Sequence, residues 1–118
     1  MKEEFKNPYD RLLVRDDTDT PPSRKYVGET LWSGTTEKIE ILLENFGNGR
    51  WAAGYQIVFG DGRSATRLSS LEYGYCRSER DCKLWFLGLC LEFRKTFSDD
   101  AVAAIKAKIM DLAQGKLF

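Results

Sequence analysis

Histidine is missing from this chain altogether. That absence removes Ser-His-Asp and Cys-His nucleophile systems, imidazole general bases and zinc sites with imidazole ligands. Cysteine is scarce, with only Cys76, Cys82 and Cys90. No two of them form a Cys-x-x-Cys pair, so they make a poor zinc set. On a shared helix Cys82 and Cys90 stand ~12 Å apart, too far to bridge. Small buried thiols in a reducing compartment are the expected state. Cys76, beside Arg77 and ahead of a helix start, is the one whose surroundings suit a reactive thiol.

Net charge is also missing. Eighteen basic residues balance eighteen acidic ones, which leaves no general attraction to nucleic acid or to an anionic membrane. No apolar run approaches the ~20 residues of a membrane-spanning helix, and the first residues, Met1 to Lys6, carry no apolar segment of the signal-peptide kind. These features predict a cytoplasmic protein without membrane contact. No motif calls for a cofactor or a metal. Asp16, Asp17 and Asp19 resemble the start of a calcium loop, but neither the Gly at the sixth position nor the Glu at the twelfth follows.

What is present is a globular composition. The chain has 118 residues, 42% of them hydrophobic and 31% charged, enough for one core without metal or disulfide staples. Residues 1–27 read as an N-terminal arm or extended segment. Asn7 and Pro8 suit the start of a short helix, Leu12 to Val14 its buried part or a short strand. The polar stretch 15–25 reads as a linker or long surface loop. Residues 28–118 read as a single α+β domain.

The centre of the chain is Trp51 to Phe93. The strand reading begins with a short strand at 26–32. Residues 37–46 fit a strand, with Ile39, Ile41 and Leu43 alternating with Glu40, Leu42 and Glu44. They also fit a helix through Ile39, Leu42, Leu43 and Phe46. Asn48-Gly49 between two apolar runs decides for an antiparallel hairpin of 37–46 with 50–59. In the second strand Trp51, Ala53, Tyr55, Ile57 and Phe59 share one face. Gly60-Asp61-Gly62 makes the next turn. A strand, not a helix, follows it, which separates it from a phosphate-binding loop. That strand, 63–69, is polar and suits a sheet edge.

Two helices follow, at about 78–95 and 98–114. Ser78 and Ser98 are their N-caps. Cys82, Trp85, Phe86, Leu89, Cys90 and Phe93 form a stripe that Leu84, Leu87 and Leu91 widen. A helix this apolar needs cover on more than one side, either from the sheet and the last helix or from a second subunit. Gly88 permits close approach of a neighbour. The expected fold is therefore α+β: a small antiparallel sheet of three or four strands covered by two C-terminal helices.

Two functional readings follow. The first is a non-catalytic protein-interaction or accessory module that self-associates, as a homodimer or with a protein partner, through the first helix or the Trp51/Tyr55 face. Its interface would hold Trp51, Tyr55, Trp85 and Phe86. The alternative is a nucleic-acid binder using Arg50, Arg63, Arg67, Arg77, Arg80 and Lys83 on phosphates, with Tyr73 and Tyr75 under bases. Residues 50–80 hold five arginines against three acids, so the basic excess is small. The aromatic set Trp51, Tyr55, Phe59, Trp85 and Phe86 reads first as core and second as the wall of a ligand pocket.

Overall fold

The computed structural model describes residues 7–14, 26–47, 49–67 and 74–114. Four strands, β1 (Tyr26–Ser33), β2 (Lys38–Asn45), β3 (Trp51–Val58) and β4 (Ser64–Arg67), form one antiparallel sheet in the order β1-β2-β3-β4. Two helices follow, α1 (Glu79–Glu92) and α2 (Asp99–Ala113). The fold is α+β with C-terminal helices, as the sequence predicts.

The ambiguous segment 37–46 is a strand. Its buried residues alternate, with Ile39 and Ile41 at 0% exposure and Leu43 at 3%. The turn after it is one residue longer than an Asn-Gly pair alone would make: the Phe46 amide donates to the Arg50 carbonyl at 2.8 Å and the Arg50 amide to the Gly47 carbonyl at 3.1 Å, so three positions, 47–49, join the strands. Gly49 adopts φ +72°, a conformation other residues rarely take. The strands then pair from Asn45 opposite Trp51 to Lys38 opposite Val58. Beyond β3, Gly62 (φ +93°) completes the turn into β4. Arg63 there pairs back across Phe59, whose amide donates to the Arg63 carbonyl at 2.8 Å.

One face of the sheet carries the helices. Helix α1 lies over β2 and β3, and α2 lies beside it over β1. Ile39, Ile41, Leu43, Ala53 and Ile57 from the sheet meet Trp85, Phe86, Leu87 and Cys90 from α1 and Ala101 and Ile105 from α2. Glu44 and Ala52, on the sheet's other face, are also buried.

Both helix starts are capped as their serines indicate. Ser78 Oγ accepts from the Asp81 amide and Ser98 Oγ from the Ala101 amide. Glu37 reinforces the second cap. Its buried carboxylate accepts from the Ser98 amide at 3.0 Å and from the Ser98 hydroxyl at 2.5 Å. A negative charge is favoured at that positive helix end. Helix α1 stops at Glu92 rather than at 95, and a single 3-10 turn, Arg94–Thr96, follows. The Thr96 hydroxyl donates to the Phe93 carbonyl at 2.6 Å, and Phe97 turns into the interior at 8% exposure.

Three neighbours within the chain pack on helix α1. The sheet takes one flank, α2 another, and residues 7–14 a third. Asn7 is buried and donates its side-chain amide to the Trp85 carbonyl at 2.9 Å, while its backbone amide donates to Glu92 Oε2 at 2.8 Å. The Trp85 indole donates to Asp10 Oδ1 at 3.3 Å. Asn7 also caps locally, accepting from the Tyr9 amide at 2.9 Å, and a 3-10 turn (Asp10–Leu12) follows. Val14 then pairs with Tyr75, and Cys76 pairs with Trp51, so these residues extend the sheet beside β3. This part of the N-terminal arm is therefore packed against the domain; residues 15–25 lie outside the described residues.

Lys83 ties α1 to β1. Its ammonium stands 2.7 Å from Glu29 and 3.3 Å from Glu79. Burial alone would lower the Lys83 pKa; hydrogen bonds and charge from Glu29 and Glu79 outweigh burial and raise it. A raised lysine contributes stability that is complete below its ordinary value of 10.5 and is lost as pH climbs through the folded-state value. Urea unfolding from about pH 9 upward should therefore show a steeper loss in the wild type than in Lys83→Met.

Candidate functional site

The helices do not reach across the whole sheet. β4 projects past α1, and a partly open cavity of about 210 Å³ lies in the space between them. Its floor is Tyr55, Ile57 and Phe59 of the β3 face together with Ala65 of β4. Its wall is Phe86, Leu89 and Cys90 of α1, and Phe93 and Phe97 close one end around the 3-10 turn.

Strand alternation fixes this lining. Tyr55, Ile57 and Phe59 are the inward set on β3, and the pairing of Ile57 with Ala65 brings a methyl-sized side chain to the outer edge of the floor. A larger residue at 65 would fill the space. The Tyr55 ring stacks on Phe86 with centroids 5.6 Å apart, and Phe59 meets Phe97 at 5.5 Å. Phe93 stands at the rim and is 58% exposed.

The two inward-facing arginines of this edge flank the cavity. Arg63 sits over the Phe59 ring, its guanidinium carbon 5.7 Å from the centroid. It donates from Nε to Asp61 Oδ2 at 2.7 Å. The Asp61 pKa is lowered, first by the hydrogen bond from the Arg63 backbone amide, against the opposing effect of desolvation, and then by the guanidinium. Arg67 sits over Tyr55 at 5.3 Å and over Trp85 at 5.8 Å. Cation–π contact of this kind attracts a guanidinium to the ring faces.

The cavity wall holds one thiol. Burial pushes the Cys90 pKa up to about 12, so it stays protonated at neutral pH. The other two thiols are interior as well. Cys82 lies far above its ordinary value because of its hydrogen bond with Cys76 and its burial, and its Sγ donates to the Trp51 carbonyl at 3.3 Å. Cys76 is 0% exposed, which puts it out of reach of a reagent despite its neighbour Arg77.

Of the four residues expected at an interface, Phe86 is 0% exposed and Trp85 is 6%. Both belong to the core of this chain. Trp51 and Tyr55 are half-buried and pack against that core. The basic residues read as a nucleic-acid surface are dispersed. Arg50 lies at the β2–β3 turn, with Nε on the Gly47 carbonyl at 3.2 Å, at the opposite end of β3 from Arg63. Arg80 donates to the Leu112 carbonyl at 2.7 Å and thereby caps the end of α2. Lys83 is held between Glu29 and Glu79. Arg77 is exposed, Tyr75 is half-buried beside Val14, and Tyr73 lies outside the described residues. Of this set, Arg63 and Arg67 are the two beside the cavity.

Among the described residues, no group of three or more Cys, Asp or Glu side chains is placed to hold a metal ion, and no helix is long and apolar enough to cross a membrane. Asp16, Asp17 and Asp19 lie outside those residues. Comparison with protein-family models, curated proteins and solved structures finds no match for this chain.

Proposed function

We propose that this chain is a non-catalytic protein-interaction module whose cavity between β4 and α1 receives one apolar side chain of a partner. The observation that carries the reading is the cavity's size and lining taken together. At about 210 Å³ it is smaller than the ~300–1,000 Å³ of sites that enclose whole drug-sized ligands. It is larger than the ~150 Å³ that accommodates a benzene ring. Five of its lining residues are aromatic: Tyr55, Phe59, Phe86, Phe93 and Phe97. A volume of one side chain, walled by rings and open on one side, matches the anchor pockets on which protein interfaces concentrate their affinity. Burying an aromatic anchor there contributes roughly 2 kcal/mol.

The lining also favours binding over chemistry. Its thiol is held protonated, and the flanking guanidiniums stand over rings.

Selection of a random peptide library against the full chain tests the proposal. Peptides with a single aromatic or large aliphatic anchor should be enriched, and Ala65→Phe, which fills the floor of the cavity, should abolish the enrichment. Enrichment that persists unchanged in Ala65→Phe would remove the cavity from the interaction and overturn the proposal.

A further inference from the structure

One end of the cavity is marked by positive charge. Phe59 and Phe97 meet there, and Arg63 stands over the Phe59 ring. Strand pairing puts Arg63 on the cavity side of the sheet. Its carbonyl accepts from the Phe59 amide, and it lies two positions before Ala65. The guanidinium is exposed, and its Nε donates to the exposed carboxylate of Asp61. Among the described residues nothing bonds its two Nη groups. Those two groups form one edge of the guanidinium fork, an edge that holds a carboxylate through two parallel hydrogen bonds. Lys95 is exposed on the 3-10 turn between Phe93 and Phe97, the turn that closes this end of the cavity. The buried Glu37 carboxylate, just beyond that turn, directs both oxygens to Ser98.

We propose that the side chain received by this cavity belongs to the C-terminal residue of a partner protein, an aromatic residue whose α-carboxylate is held by Arg63. This rests on the anchor reading of the cavity and specifies the occupant. The cavity has room for one side chain, and the guanidinium stands 5.7 Å from the centroid of a ring in its wall. A carboxylate that meets Arg63 therefore lies close to the anchor itself. In an extended segment the side chains next to the anchor point to the opposite face, and those two positions away stand ~7 Å along the chain. The α-carboxylate of a terminal anchor is instead bonded directly to the anchor's own Cα. A chain terminus thus supplies the ring and the charge from one residue. Asp61 holds Arg63 over Phe59 and is also a like charge that the incoming carboxylate must tolerate.

Fluorescence anisotropy with peptides labelled at the N-terminus tests the proposal on the full chain. The first is Gly-Ser-Thr-Ser-Thr-Phe with a free C-terminal acid. The second is the same peptide as a C-terminal amide, and the third continues beyond the phenylalanine with Ser-Gly. The free acid should bind about tenfold or more tighter than either of the others, the gain expected of hydrogen bonds to a charged group. Arg63→Gln is an exposed substitution that should leave folding intact by circular dichroism. It should bring the free acid down to the affinity of the amide and leave the amide unchanged. Asp61→Asn should strengthen the free acid and not the amide.

Equal binding of all three peptides, abolished in each case by Ala65→Phe, would overturn the terminal-carboxylate reading and leave the anchor cavity standing. Binding of the free acid indifferent to Ala65→Phe would overturn both. N-acetyl-phenylalanine binding as tightly as the free-acid peptide would assign the cavity to small aromatic acids and overturn the proposal. Self-association of the chain that the free-acid peptide disperses would assign the cavity to a second copy, with the same consequence.

Discussion

Phe86→Ala is expected to lower unfolding stability by about 4 kcal/mol and to make that stability respond to small aromatic molecules. Phe86 is 0% exposed, stacks on Tyr55 and forms the wall between the core and the cavity. Truncation removes the transfer free energy of a ring and leaves a void, because α1 is pinned by α2, the sheet and residues 7–14 and cannot collapse inward. The new space would open directly into the existing cavity. Its walls are apolar, so it should stay dry and admit indole or toluene. A ligand that binds only the folded state restores stability in proportion to the logarithm of its concentration. Urea unfolding with and without saturating indole should show the loss and then a partial recovery. A cost under about 1 kcal/mol would mean that the Phe86 site collapses freely and that the cavity is not held open by the fold.

Gly88→Ala is expected to destabilise the protein by about 2 kcal/mol, opposite in sign to its effect on an isolated helix. Alanine is the better helix former by ~1 kcal/mol. Gly88, however, lies in the middle of α1 directly under Asn7, and a Cβ there would overlap Asn7 Oδ1 and Cγ. The Asn7 side chain would have to leave, breaking its buried bond to the Trp85 carbonyl and its cap on the Tyr9 amide. Each buried group left unpaired costs roughly 1–3 kcal/mol. A double variant, Asn7→Ala with Gly88→Ala, separates the contributions. Once Asn7 is truncated, adding the Gly88 substitution should be neutral or stabilising. A destabilisation of the same size in both backgrounds would show that Asn7 is not what makes glycine necessary.

These two sites also show what was legible in the chain. The need for close approach at Gly88 is readable locally, since a glycine inside a strongly apolar helix weakens that helix unless a neighbour packs against its bare backbone. That neighbour, Asn7, is 81 positions earlier in sequence, and nothing local points to it. Likewise the excess apolar surface of the 78–95 segment is visible in its stripe, but whether a subunit or the N-terminal residues cover it depends on tertiary packing. The hairpin was decidable because Asn48-Gly49 and the alternation of Ile39, Ile41 and Leu43 agree. Local and global preferences coincide there.

The cavity was only half visible. Tyr55, Phe59 and Phe86 stand in the aromatic set that the pattern singles out, but Phe93, Phe97 and above all Ala65 do not. A small residue at a sheet edge carries no signal of its own. It matters only because α1 stops short of β4, and that is set by where α2 and residues 7–14 hold the helix. The arginines divide for the same reason. Charge clustering in sequence groups Arg63, Arg67, Arg77 and Arg80, whereas folding sends Arg80 to the end of α2 and leaves Arg63 and Arg67 beside the cavity.

Acceptance of an aromatic group by the space between β4 and α1 is tested most directly by titrating toluene into the isotope-labelled full chain and following side-chain signals by NMR. Saturable shifts confined to Tyr55, Ile57, Phe59, Ala65, Leu89 and Phe93, and lost in Ala65→Phe, are the expected result. Shifts scattered over the surface without saturation, or saturable shifts that survive Ala65→Phe, would contradict it.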